Sequence, residues 1–245
     1  MQIFIEKDYS AMSKKAAQIF ADEIRKKPNL VLGLATGSTP IGTYEELIRM
    51  YNEEGLDFSQ VVSFNLDEYY GLTPDDPQSY NYFMFKNFFN SINVQRDNIH
   101  IPDGRASDIE NFCKEYDRKI ESFGGIDLQL LGIGVNGHIG FNEPSDKLIV
   151  GTHLTDLTED TIKANSRFFD SPDQVPTQAI TMGIGSIMKA KKIVLLASGK
   201  SKAEIMAKLV NVDYITTEIP ASLLKLHPDV TVIMDEEAAS QLKNS

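Results

Sequence analysis

Three segments of this chain hold residues able to do chemistry, and each follows a short apolar run. The densest is Leu131-Gly132-Ile133-Gly134-Val135-Asn136-Gly137-His138-Ile139-Gly140-Phe141-Asn142-Glu143-Pro144, where four glycines surround one histidine, two asparagines and one acid. Glycines let a backbone approach a ligand closely, and an imidazole five residues from a carboxylate is a titratable pair suited to proton transfer near neutral pH. A hydrogen-bonded structural histidine is the plainer alternative for His138. Its place beside a carboxylate in a glycine loop at a strand end favours function. The remaining histidines, His100, His153 and His227, fit no compact ligand spacing, so no metal site is expected.

A second segment, Gly33-Leu34-Ala35-Thr36-Gly37-Ser38-Thr39-Pro40, runs from a strand through a small hydroxylated turn into the helical pattern Ile41-Met50. Pro40 suits a first helical position, and the free N–H groups of a helix start, with hydroxyls on Thr36, Ser38 and Thr39, would seat a phosphate. A strand-to-helix turn with an ordinary cap reads equally well. The segment has neither the lysine and glycine spacing of a Walker loop nor the dinucleotide-binding glycine fingerprint, which removes the main support for nucleotide binding. In the third segment, Phe64-Asn65-Leu66-Asp67-Glu68-Tyr69-Tyr70, adjacent acids at a strand end must point apart. One could face a pocket as a general base while the other meets solvent or a structural partner; a helix cap or a surface pair is the alternative.

These segments need a scaffold that gathers strand ends. Short apolar runs alternate with longer amphipathic stretches, the pattern of an α/β protein with a mostly parallel sheet. Strands are expected at Gln2-Glu6, Leu30-Ala35, Val61-Leu66, Asn98-Ile101, Ile126-Ile133, Gln178-Met182, Lys192-Ala197 and Val230-Met234. Met12, Ala16, Ile19, Phe20 and Ile24 form one helical stripe, and Ser107 is the expected cap of a helix over Asp108-Phe123. The aromatic stretch Tyr80 to Phe89 and the loop-rich stretch Gly134 to Thr158 resist the alternation. Tyr80-Phe89 and Asp146-Glu159 are read as segments that cover the site and could move on binding. No repeat or Pro/Gly/Ser-rich linker divides residues 1–245, so one domain is expected. Ligands of open α/β sheets bind beyond the carboxyl ends of the strands, where all three segments fall.

Composition narrows the partners. With 245 residues, 42% of them hydrophobic and 24% charged, the chain can bury a core and is not a disordered tract. The net charge of -11 disfavours a sequence-independent grip on nucleic acid or an anionic membrane, leaving a small molecule at a local site. One cysteine, Cys113, allows no internal disulfide, and no apolar run approaches the ~20 residues of a spanning helix. A cytoplasmic location is expected, and the oligomeric state is left open between monomer and homo-oligomer.

These motifs, with Ala164-Asn165-Ser166-Arg167-Phe168-Phe169 and weaker agreement around Gln174-Val175-Pro176, Gly199 to Ala203 and Leu224-Lys225-Leu226-His227-Pro228, make the chain resemble the glucosamine-6-phosphate deaminase family, in its shorter bacterial type. The resemblance implies a Rossmann-like doubly wound sheet with helices on both faces, and deamination of glucosamine 6-phosphate to fructose 6-phosphate and ammonium without an organic cofactor. It makes Asp67 the base that moves a proton from C2 toward C1. His138 becomes the shuttle that opens the pyranose ring, with Glu143 and Asn136 as its orienting partners. The sugar phosphate is expected among Gly37, Ser38, Thr39, Arg167 and Lys202, whose two cations let an acidic protein hold a dianion. Asn136 stands where other members carry an aspartate, which shifts electrostatic load to Glu143. In Gly151-Thr152-His153-Leu154-Thr155, His153 and Thr155 stand where allosterically activated members carry two cations, so that effector pocket is expected to be incomplete. A 6-phosphogluconolactonase-type hydrolase is the near alternative, although it needs no base at Asp67. A non-catalytic sugar-phosphate sensor is the alternative from another class, and no recognition helix supports it.

Overall fold

Seven of the apolar runs pair in parallel into one sheet. In the computed structural model, which describes residues 1–166, 169, 171 and 174–243, the strands are β1 (Gln2–Glu6), β2 (Val31–Leu34), β3 (Val62–Asn65), β5 (Ile99–His100), β6 (Leu128–Gly132), β9 (Lys192–Ala197) and β10 (Val230–Asp235). Their order is β1-β10-β9-β6-β2-β3-β5, with every pairing parallel. From β2 the chain builds outward through β3 and β5, then returns to lay β6 against the other side of β2. The order therefore reverses between β2 and β6, and loops leaving their carboxyl ends diverge to open a crevice. Strands Val31–Leu34 and Val230–Asp235 are buried along their whole length, as expected for central strands of a parallel sheet, and are largely apolar apart from Thr231 and Asp235.

Helices α1 (Tyr9–Lys26), α2 (Ile41–Glu54), α3 (Tyr80–Asn87), α4 (Ile109–Ser122), α5 (Glu159–Asn165), α6 (Ile184–Met188), α7 (Ala203–Val210) and α8 (Glu236–Ala239) complete the chain. The expected stripe on α1 buries Met12, Ala16, Phe20 and Ile24, and Asp8 caps it by accepting from the Ala11 N–H at 2.8 Å. On α4 the cap is Asp108 rather than Ser107, because the Asp108 carboxylate reaches the Asn111 N–H at 3.1 Å. Pro40 likewise sits one residue earlier than expected, as the N-cap of α2, and supplies no side-chain cap.

A second sheet lies outside the expected pattern. Strands β4 (Asp67–Tyr69), β7 (His153–Asp156) and β8 (Gln178–Thr181) form an antiparallel trio with β8 in the middle. The expected strand at Gln178-Met182 exists but belongs here, not in the parallel sheet; its buried Ala179 and Ile180 give the same apolar signal in either place. β7 falls inside the segment read as irregular, since His-Leu-Thr-Asp shows no apolar alternation. The Tyr80-Phe89 stretch is mostly the helix α3 followed by a 3-10 turn. Among the described residues no helix is long and apolar enough to cross a membrane.

Candidate active site

The crevice between β2 and β6 holds a cavity of about 200 Å³. One wall is the turn Ala35–Thr39 that follows β2. Gly37 has φ +92°, a left-handed conformation that a side chain would strain, and the turn is pinned from behind by Tyr9. The Tyr9 hydroxyl donates to the Ser38 carbonyl at 3.1 Å and accepts from the Gly42 N–H at 2.8 Å. One N–H of the α2 start is thereby satisfied inside the protein, leaving the turn itself, Gly37, Ser38 and Thr39, as the part of this motif that faces the cavity.

Asp67 and Glu68 do point apart, with opposite consequences. Glu68 is buried and accepts three backbone N–H bonds, from Tyr69, Tyr80 and Asn81, each at 2.8 Å. It seats the first turn of α3 together with Ser79, whose hydroxyl accepts from the Tyr82 N–H. Burial raises its carboxyl to about 7 against the pull of these donors. Asp67 is 6% exposed, lines the cavity, and accepts no hydrogen bond among the described residues. Burial, and secondarily the neighbouring Glu68, push its carboxyl up to about 8. Positive charge or hydrogen-bond donors brought beside Asp67 would act in the opposite direction and favour the ionised form that a base needs.

The opposite wall is the glycine loop after β6. His138 presents its ring to the cavity, and Nδ1 lies 3.1 Å from Oε2 of Glu143, which stands behind it. Asn136 donates from Nδ2 to the same oxygen at 2.7 Å, and its Oδ1 accepts from the His138 backbone N–H at 3.2 Å. Asn136 thus orients the pair through the carboxylate and the backbone and does not bond the imidazole itself. Desolvation acts to raise the Glu143 carboxyl, but bonds from His138, Thr161 and Asn136 outweigh it and hold the group down at about 2. A fixed carboxylate behind an imidazole sets the ring's orientation and stabilises its cation when one forms. Gly134 makes this geometry possible: a Cβ there would lie 2.4 to 2.5 Å from three ring atoms of His138.

Of the expected site residues, the structure brings Gly37, Ser38, Thr39, Asp67, Asn136, His138 and Lys202 to one cavity, with Glu143 directly behind it. Arg167 lies outside the described residues. Two lining residues were not expected in the chemistry. Tyr80, on α3, closes the cavity between Asp67 and the turn after β2, its hydroxyl meeting the side chains of Tyr69 and Thr36. Its ring stacks on Phe141 at 6.1 Å and 10°. Thr161, on α5, donates to Oε1 of Glu143 at 2.5 Å. The sequence signal for Tyr80 was its aromatic stretch; for Thr161 it was Thr158-x-x-Thr161, a helix-start spacing whose second hydroxyl is free to look elsewhere. Among the described residues no group of His, Cys, Asp and Glu side chains could hold a metal ion.

Comparison with known proteins identifies the family and its relatives. A family model described as glucosamine-6-phosphate isomerases/6-phosphogluconolactonase matches residues 6–233. The chain is 60% identical over 240 residues to the glucosamine-6-phosphate deaminase of Thermoanaerobacter pseudethanolicus, spanning 98% of this chain and 94% of that protein. It is 58% identical over 242 residues to the one from Halothermothrix orenii, spanning 99% and 100%. A solved monomeric glucosamine-6-phosphate deaminase matches with a TM-score of 0.96 at 49% identity, covering 98% of this chain and 100% of that one. A 6-phosphogluconolactonase from Trypanosoma brucei shares the fold alone, with a TM-score of 0.77 at 19% identity over 99% and 98% of the two chains.

Proposed function

The chain belongs to the glucosamine-6-phosphate isomerases/6-phosphogluconolactonase family, and from that premise we propose that its cavity is built for deamination rather than lactone hydrolysis. It converts D-glucosamine 6-phosphate and water to D-fructose 6-phosphate and ammonium. The observation that carries this reading is Asp67: a buried carboxylate, unbonded among the described residues, that faces the same cavity as a fixed imidazole. Hydrolysis of a lactone needs one group to activate water. Isomerisation needs a second base at C2, and here two bases line the one cavity.

In this reading His138 takes the proton of the anomeric hydroxyl and returns a proton to the ring oxygen as the C1–O5 bond breaks, with ionised Glu143 balancing the imidazolium. Asp67 then removes the C2 proton of the open-chain ammonium aldose while O1 takes a proton from the C2 ammonium group, and the protonated Asp67 carboxyl returns its proton to C1 of the resulting enolamine. Water adds to the resulting C2 iminium, and ammonia departs to leave the ketose. The turn Gly37, Ser38 and Thr39 holds the phosphate with Lys202, and with Arg167 as the second cation. The enzyme acts in the cytosol as one unit over its 245 residues. Pure protein given glucosamine 6-phosphate should release fructose 6-phosphate and ammonium in equal amounts. Hydrolysis of 6-phosphogluconolactone with no ammonium from the amino sugar would replace this reading with the other activity of the family.

Two results bear on the phosphate and on regulation. Lys202→Ala should raise KM about 10- to 100-fold, matching the ~1.5–3 kcal/mol of a hydrogen bond to a charged group, with a smaller loss for unphosphorylated glucosamine. Equal losses for both sugars would make the effect structural. N-acetylglucosamine 6-phosphate, the activator of the longer members that this chain resembles, should leave rate curves hyperbolic and unshifted. His153 bonds to the Gly151 carbonyl at 2.9 Å and the Thr155 hydroxyl donates to the Asp156 carbonyl at 3.3 Å, and neither position carries the lysine or arginine that an anionic effector would need. A sigmoidal curve that this compound straightens would contradict the expectation.

A further inference from the structure

The Glu143 carboxylate has two oxygens with separate duties. Oε2 serves both His138 and Asn136, whereas Oε1 is held by the hydroxyl of Thr161 at 2.5 Å. Thr161 is 5% exposed and lines the cavity from α5, an element that shares no sheet or loop with the glycine segment. Its own hydroxyl is directed by a short chain of bonds. The Thr161 N–H donates to the Thr158 hydroxyl at 3.3 Å, and that hydroxyl donates in turn to the Thr161 hydroxyl at 3.1 Å. With its lone pair occupied, the Thr161 hydroxyl has its proton left for Glu143. A donor whose rotamer is fixed in this way holds the carboxylate plane, and through Oε2 the plane and tilt of the imidazole.

We propose that Thr161 is a positioning residue for the ring-opening step: it locks Glu143 so that His138 meets the sugar's O1 and O5 in a productive orientation, and it makes that lock depend on the seating of α5. The inference rests on the deaminase reading above and adds a residue to it. The charged groups facing the arrangement are His138 against Glu143, and Asp67 and Lys202 across the cavity.

The test compares Thr161→Val, which keeps the shape and removes the hydroxyl, with Thr161→Ser, which keeps the donor. Wild-type turnover of glucosamine 6-phosphate is measured first, so that failure of the deaminase reading shows as no activity before any variant is made. Thr161→Val should lower kcat about 10- to 100-fold, the scale of one hydrogen bond to a charged group, with KM changed less than about threefold. Losing a donor favours the protonated carboxyl, so the acid limb of its pH-rate profile should also move to higher pH. Thr161→Ser should recover most of kcat and the wild-type acid limb. Wild-type kcat and acid limb in Thr161→Val would overturn the proposal. So would equal damage in both variants, or a loss confined to KM, since either would mean that Thr161 only packs α5. Thermal unfolding of each variant checks that it is folded, and should Thr161→Val not fold, the Ser variant with Thr158→Ala, which leaves the Thr161 hydroxyl undirected, decides by the same acid limb.

Discussion

Asp67→Asn should cost at least about 10²-fold in kcat and make the protein more stable in alkali. The first effect follows from removing a base while keeping its size: general base catalysis contributes about 10²–10⁴-fold, and an amide cannot take the C2 proton. Binding of fructose 6-phosphate should change little. The second effect follows from the raised carboxyl. Folded Asp67 keeps its proton up to about pH 8, whereas the unfolded group loses it near its ordinary value of 3.8. Between those limits the native state binds more protons than the unfolded state, so stability falls as pH rises through this window and stays reduced above it. Asn carries no such penalty. The variant's Tm should exceed that of the wild type by several degrees at about pH 9, and the two should converge near pH 4. A variant with native kcat would move the base elsewhere, with Glu68 as the next suspect. One with unchanged alkaline stability would show that burial does not hold the Asp67 carboxyl in its neutral form.

That coupling of activity to the burial of one carboxyl could not be read from the sequence, and the reason is specific. The string Asn65-Leu66-Asp67-Glu68 displays two acids but not which of them finds backbone donors. The choice is made by α3, whose first N–H groups come 12 and 13 residues later and close on Glu68. The same bonds explain why Tyr80-Phe89 looked irregular: its aromatic residues have no clean apolar stripe, and its start is stabilised by a distant carboxylate rather than by propensity alone. The parallel sheet was legible because strands buried on both faces write themselves as near-continuous apolar runs, as in Ile193 to Ala197. The small antiparallel sheet was not, since His153–Asp156 is half-exposed and polar, and β4 is only three residues long. His138, Asn136 and Glu143 were legible as a group because one loop holds them all. Thr161 joins them only through the folding of a separate helix.

Gly134→Ala should abolish nearly as much activity as removing the imidazole, without unfolding the protein. An added Cβ would stand 2.4 to 2.5 Å from Cε1, Nδ1 and Nε2 of His138, closer than carbon and nitrogen atoms can pack. Gly134 is not in a left-handed conformation, so alanine itself is tolerated by the backbone. The ring must therefore give way. Its escape breaks the 3.1 Å bond to Glu143, and the carboxylate, still held by Asn136 and Thr161, cannot follow. The expected result is a fall in kcat of about 10²-fold or more, at the scale of a lost acid–base group, with native circular dichroism and nearly native affinity for fructose 6-phosphate. Because the damage passes through one side chain, it should not add to that side chain's removal. Gly134→Ala combined with His138→Gln should be no slower than His138→Gln alone, the non-additivity of residues that act as a unit. Additive losses would place the effect of Gly134 on the loop backbone instead, and native kcat in the single variant would show that catalysis does not need the imidazole where Glu143 holds it.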